Sequence, residues 1–223
     1  MKFRHELKHE ISYSDYFVLK NRLSAVMQHD TNGDHGTYLI RSLYFDNLYD
    51  SALREKVDGV NHREKFRIRS YDYNNEFIRL EKKSKINGLC NKVSAVISAQ
   101  EVSQIINGDI LFMKDNPKPL IQELYLKMNT KCLVPKTLVD YTREAFIFPP
   151  GNVRVTLDYD IKTGLDATDF LNPNCITVPT GDHVIILEVK WDEFLPEIIK
   201  EIVLLKGRKN SAFSKYATCR IYG

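Results

Sequence analysis

Polar and apolar residues alternate with a period of two along much of this chain, and that period marks strands whose two faces meet different surroundings. Residues 2–11 set Lys2, Arg4, Glu6, Lys8 and Glu10 on one parity and Phe3, His5, Leu7, His9 and Ile11 on the other. Ser12 or Ser14 then predicts an N-cap for a helix running to about Met27, with Tyr16, Phe17, Leu19, Leu23 and Val26 at helical spacing. Thr37–Asp46 (TYLIRSLYFD), rich in β-branched and aromatic residues, predicts a strand. A short helix from about Leu48 to Val57 follows, ended by Asp58-Gly59. Strands are predicted at 64–71, 76–83 and 91–98, separated by the turn formers Asp72-Tyr73-Asn74-Asn75 and Asn87-Gly88. Helices are expected near 99–107, 118–129 and 195–205, and further strands at 137–148, 152–162 and 184–191. Pro149-Pro150-Gly151 and a loop around Pro173–Gly181 break the later strands, and a short basic segment ends the chain. The fold class is α+β, dominated by antiparallel strands.

Sorting each strand by parity separates its cations from its apolar residues. Lys65, Arg67 and Arg69 share one face, with Phe66 and Ile68 on the other. Arg79, Glu81 and Lys83 oppose Ile78 and Leu80; Lys92 and Ser94 lie together, as do Tyr141 and Arg143. Arg154, Thr156, Asp158 and Asp160 oppose Val153, Val155, Leu157 and Ile161, and Glu188 and Lys190 oppose Leu187, Val189 and Trp191. Any one such face, taken alone, reads as a solvated sheet surface. Taken together the polar faces favour Arg and Lys over Thr, Ser, Asn and Gln, and the apolar faces need helices to cover them. A closed barrel with a charged interior and a helix-covered exterior meets both needs. Cations enclosed together repel unless an anion and some carboxylates compensate them, and a chain of phosphates fits that requirement.

Composition narrows the partners. A length of 223 residues suits one domain, 1–223, with a buried core, and no linker or repeat divides it. The 32 Lys+Arg against 29 Asp+Glu leave a formal charge of only +3, less than a nucleic-acid binder usually carries. No nucleic-acid partner is expected, so any anion must be held by local arrangement. No stretch approaches the roughly 20 apolar residues of a membrane span, and the N-terminal pattern has no apolar signal core. Cys90, Cys132, Cys175 and Cys219 stand more than forty residues apart, which gives no zinc-ribbon or CxxC spacing. Reduced thiols and a cytoplasmic location are the expectation. His5-Glu6-Leu7-Lys8-His9 matches HExxH, which on a helix would bind zinc and leave Glu6 as base. Periodicity alone does not exclude that helix, although no third ligand is evident; on a strand His5 and His9 belong to the outer wall.

The runs RHELKHEI, SLYFD, REKFRIRSY, RLEKKSK with a later Lys92, DYTREAF, RVTLDYDI, ILEVKW and FSKY, in this order over almost the whole chain, resemble the polyphosphate polymerase domain of the vacuolar transporter chaperone (VTC) family, within the triphosphate tunnel metalloenzymes. The resemblance implies a closed, antiparallel, eight-stranded tunnel barrel with flanking helices. It also implies synthesis of inorganic polyphosphate from ATP or another nucleoside triphosphate, with manganese or magnesium as divalent metal. By position, Lys8, Arg67, Arg69, Lys83 and Lys92 would grip phosphates, joined by Tyr141, Arg143 and Arg154 from the far wall. Glu188 would hold the metal, Ser214 and Lys215 would close the tunnel, and Lys190, on the parity of Glu188, would bind substrate. Glu81 and Glu6 would either support the metal or balance neighbouring cations. One departure is Ala212 where the family carries a lysine before FSKY, with Arg208 and Lys209 slightly upstream. The family's phosphate-sensing SPX domain and membrane helices do not occur in this sequence, so export would need a separate membrane partner protein. Two alternatives remain: a tri- or polyphosphatase of the same fold, in which water replaces the phosphate acceptor, and a non-catalytic polyphosphate-binding module.

Overall fold

A computed structural model describes residues 4–33, 36–87, 89–181, 184–205 and 213–221. The chain divides into two compact units: Met1–Leu39, Tyr141–Ile161 and Gly181–Phe213 form one, and Ile40–Asp140, Lys162–Thr180 and Ser214–Gly223 the other.

In the first unit, β1 (His5–Ile11) pairs antiparallel with β10 (Ile185–Trp191), and β10 with β8 (Val153–Thr163). The helix α1 (Tyr13–Val26) begins at Ser12 through a capping box: Ser12 Oγ accepts from the Asp15 amide, and the Asp15 carboxylate accepts from the Ser12 amide. Leu19 and Leu23 of α1 meet Ile199 and Val203 of α5 (Glu197–Val203) over Val155, Leu157, Leu187 and Val189, all fully buried. These four sheet residues hold the apolar parity assigned to β8 and β10 from sequence, so the charged parity takes the opposite face.

The second unit is built on β3 (Thr37–Asp46), β4 (His62–Tyr71), β5 (Ile78–Ile86) and β6 (Leu89–Ile97), each paired with the next in that order. Phe66, Ile68, Ile78, Leu80 and Ile97 form the buried face, covered by Val102 and Ile105 of α3 (Ala99–Ile106) and Leu120, Ile121 and Leu124 of α4 (Pro119–Lys131). A second capping box, Ser98 with Glu101, starts α3.

Long elements match the sequence expectation, with β3 at its predicted bounds. Differences are local. The strand expected over 76–83 runs on to Ile86, because its last residues pair with His62–Glu64 on one side and Leu89–Asn91 on the other. The helix expected from Leu48 starts at Ser51 as α2 (Ser51–Val57), since Asp50 adopts left-handed φ of 50° and Asp46 takes the amides of Ala52 and Leu53. The C-terminal segment is a helix, α6 (Lys215–Ile221). Two-residue strands β2 (Gln28–His29) and β9 (Val178–Pro179) are additions, pairing with β7 (Val134–Phe148) and β8. The main sheet path, β1-β10-β8-β7-β3-β4-β5-β6, has the eight strands expected. Closure of that path into a ring is a correction: among the described residues it ends at β1 and β6. At β6 the ammonium of Lys118 caps the Val96 carbonyl at 2.7 Å, satisfying part of the edge with a side chain. Among the described residues, no helix is long and apolar enough to cross a membrane.

Candidate functional site

The second unit carries a basic surface written directly into strand register. Lys65 lies opposite Lys83, and Lys83 opposite Lys92, so three lysines form one row across β4, β5 and β6. The adjacent row sets Arg67 opposite Glu81, and the next sets Arg69 opposite Arg79. Like charges directly opposed on neighbouring strands are destabilising by themselves. Glu81, 1% exposed, pairs with Arg67, Arg69 and Lys92. Arg67 Nε donates to Glu81 Oε2 at 2.8 Å and Nη2 lies 2.6 Å from the same oxygen, while Lys92 Nζ sits 2.5 Å from Oε1. Arg69 Nη1 is 3.7 Å from Oε2, and its Nε donates to Ser42 Oγ. Burial alone would raise the Glu81 pKa, but Arg67, Arg69 and Lys92 outweigh it and hold the carboxyl well below the usual range. Burial lowers the Lys92 pKa, with Arg67 and Arg69 adding to the effect against the pull of Glu81.

The first unit holds a second cluster of mixed sign. Lys8 lies opposite Glu188 and Glu6 opposite Lys190, so carboxylates and ammonium groups alternate at four neighbouring positions of β1 and β10. Lys8 Nζ is 3.2 Å from both Glu6 Oε1 and Glu188 Oε2, and Lys190 pairs with Glu188. Burial would lower the Lys8 pKa, yet Glu188 and Glu6 raise it well above its ordinary value, so the ammonium stays charged. Arg154 stands opposite Lys190 on β8 and donates through Nη2 to Asp30 Oδ2 and Tyr38 Oη, each at 2.6 Å. Arg143 grips the fully buried Asp158 with two parallel bonds, 2.6 and 2.7 Å, and its guanidinium stands 5.5 Å from the centre of the Tyr141 ring.

The residues named from sequence thus fall into two groups. Arg67, Arg69, Glu81, Lys83 and Lys92 share the second unit, and Glu6, Lys8, Tyr141, Arg143, Arg154, Glu188 and Lys190 the first. Ser214 and Lys215 begin α6; Ser214 Oγ accepts from the Ala217 amide, an N-cap bond, and Ser214 is 8% exposed. Arg208, Lys209 and Ala212 lie outside the described residues. Of the three carboxylates considered for a metal, Glu6 and Glu188 share Lys8, whereas Glu81 is ringed by cations. Among the described residues, no three His, Cys, Asp or Glu side chains converge as a metal cage. Two carboxylates nevertheless suit magnesium or manganese, which commonly take one or two protein carboxylates and complete their shell with water and phosphate oxygens. Glu188 and Glu6 fit that donor set.

Partners of these cations escaped the sequence expectation. Tyr44 in SLYFD sits on the polar parity of β3 beside Ser42, opposite Arg67, so the alternation of Ser42 and Tyr44 with Leu43 and Phe45 carries the signal. Asp30 lies in the connection between β2 and β3, which has no period to read, and Tyr38 is the second residue of β3. The HExxH alternative fails on secondary structure: His5 and His9 lie on a strand, about 13 Å apart along it, not one helical turn. His5 stacks on Trp191 with centroids 5.3 Å apart, and His9 is buried.

Solved structures share this fold. A proposed adenylate cyclase from Bacillus halodurans is similar over 92% of this chain and 91% of its own, at 14% identity and a TM-score of 0.54. Two proteins of Pyrococcus horikoshii OT3 are similar at TM-scores of 0.50, one at 12% identity over 96% of each chain, the other at 9% over 95% of this chain and 96% of its own. At these identities the likeness shows the fold alone, the α+β triphosphate-tunnel fold. A comparison with curated protein sequences finds no match. The family model described as VTC domain matches residues 3–221, nearly the whole sequence. The chain belongs to the VTC domain family.

Proposed function

We propose that this VTC domain synthesises inorganic polyphosphate from a nucleoside triphosphate, with cations of both clusters binding phosphate. The observation that carries the reading is the strand register that sets Lys65, Lys83 and Lys92 in one row beside Arg67, Arg69 and Arg79. A surface of this kind is costly when bare and is relieved by a polyanion of closely spaced charges. Arginine offers a planar fork for phosphoryl oxygens, and lysine a compact charge that tolerates a sliding chain.

In the step proposed, a terminal oxygen of the acceptor phosphate forms a bond to the γ-phosphorus in line with the leaving group. The bond from that phosphorus to the β,γ-bridging oxygen breaks, and its electron pair leaves with the nucleoside diphosphate. No protein nucleophile is needed, so positioning and charge neutralisation do the work. Arg67 and Arg69 orient equatorial oxygens; in the first unit, Lys8 is held charged by Glu6 and Glu188 and would bind phosphate there. Glu188 with Glu6 would hold a divalent ion, which when bound neutralises charge on phosphate oxygens.

The test is product analysis after the purified chain is incubated with ATP and manganese. Polymer longer than the added primer supports synthesis. Orthophosphate alone assigns a hydrolase of the same fold, and no turnover with retained binding assigns a binding module. Activity is expected to vanish on chelation and to fall by at least roughly tenfold in Glu188→Gln. An unchanged metal requirement in that variant would move the ligand to Glu81 or Glu6.

A further inference from the structure

Arg67 is held from both sides. Glu81 takes Nε and Nη2, and on the other flank Nη1 donates to the hydroxyl of Tyr44 at 2.9 Å. Tyr44 is 3% exposed, with Lys65 Nζ 5.4 Å and the Arg67 guanidinium carbon 5.8 Å from its ring centre. Its ring stacks on Tyr216 of α6, centroids 5.0 Å apart at an interplanar angle of 27°. Tyr216 donates to Asp46 Oδ2 at 2.6 Å, and Asp46, fully buried, also accepts the amides of Asn47, Ala52 and Leu53. The chain Asp46, Tyr216, Tyr44, Arg67, Glu81 therefore runs from two helices to the basic rows, and every member belongs to the second unit.

We propose that Tyr44 is a positioning residue for Arg67, fixing the guanidinium against Glu81, and that Tyr216 sets Tyr44 so that α6 governs the phosphate grip. The inference rests on the reading that Arg67 binds phosphate. An arginine hydrogen-bonded on both flanks loses little further freedom when a phosphate arrives, which is how a preorganised donor gains affinity. The groups facing Tyr44 also make it report on ligand. Burial would raise its pKa, but Arg67, Lys65 and Arg69 on β4 bring it down to about 7. A polyanion at these same cations offsets their pull and drives the hydroxyl back to its protonated form. Between pH 7 and 10 binding then takes up a proton at Tyr44. Other charged groups close by are Glu81 on β5, beyond Arg67, and Asp46, beyond Tyr216.

The experiment is calorimetric titration of the full chain with inorganic tripolyphosphate at pH 8, in two buffers of different ionisation enthalpy. Wild type is expected to bind with uptake of close to one proton beyond that of Tyr44→Phe. Tyr44→Phe, which keeps the stacked ring, is expected to bind roughly tenfold more weakly. Tyr216→Phe, which frees the ring from Asp46, is expected to lose affinity while keeping the uptake, since the Tyr44 hydroxyl remains. Wild-type affinity and uptake in Tyr44→Phe would overturn the inference and leave the phosphate reading standing; unchanged affinity in Tyr216→Phe would overturn the role of α6. Absence of tripolyphosphate binding by wild type would overturn both readings together.

Discussion

Arg67→Ala is expected to lower the rate of polymer synthesis by roughly two to three orders of magnitude, the cost of losing one preorganised donor to developing charge. The fold is expected to survive. Arg67 projects from the polar face of β4, away from the core of Phe66 and Ile68, so its truncation opens no apolar cavity. Glu81 is not stranded either, because Lys92 stays 2.5 Å from Oε1 and Arg69 3.7 Å from Oε2. Removing one cation from a crowded row also relieves repulsion with Lys65 and Arg69. The measurement is steady-state turnover beside a thermal melt. A folded variant with near wild-type turnover would show that phosphate transfer does not use the β4 face.

The largest expected loss of stability comes from Asp140→Ala. Arg41 is fully buried, with Nε and Nη2 donating to Asp140 at 2.9 and 2.8 Å and Nη1 to the Asn172 carbonyl at 2.5 Å. Its guanidinium also lies 4.5 Å from the Tyr73 ring centre. Removing the carboxylate leaves a permanently charged side chain buried without its counter-ion, a loss of about 3–5 kcal/mol. For a chain of this size that corresponds to a fall of roughly 6–20 °C in melting temperature. Arg41→Met combined with Asp140→Leu is expected to recover most of the loss, because the pair costs desolvation as well as giving attraction. A melt of Asp140→Ala within two degrees of wild type would contradict the buried pairing.

How much of this was legible beforehand follows from which forces are local. Alternation along REKFRIRSY and RLEKKSK separates core from charge, because a strand allows only two faces and the apolar face must be buried. It therefore placed Arg67, Arg69 and Glu81 on one side without a structure. Strand register is not local, and register is what lines up Lys65, Lys83 and Lys92 in one row. Parity could name each lysine but not its neighbour. Arg41 and Asp140 stand 99 residues apart, and each reads singly as a charge inside an apolar strand. The helix α6 was missed because KYATCRI is short and its anchors, Asp46 for Tyr216 and Asp50 for Arg220, lie 170 residues upstream. A segment of seven residues has little helical stability of its own.

Binding of a chain of phosphates by these cations is tested most directly by a thermal melt with tripolyphosphate, which requires no turnover. A ligand confined to the folded state contributes about 2.7 kcal/mol at 100 times its Kd, or roughly 5–11 °C for a chain of this size. Tripolyphosphate is expected to raise the melting temperature by that amount, and orthophosphate at matched ionic strength by far less. Arg67→Ala should blunt the shift. A melting temperature indifferent to tripolyphosphate would contradict phosphate binding, and with it the proposed function.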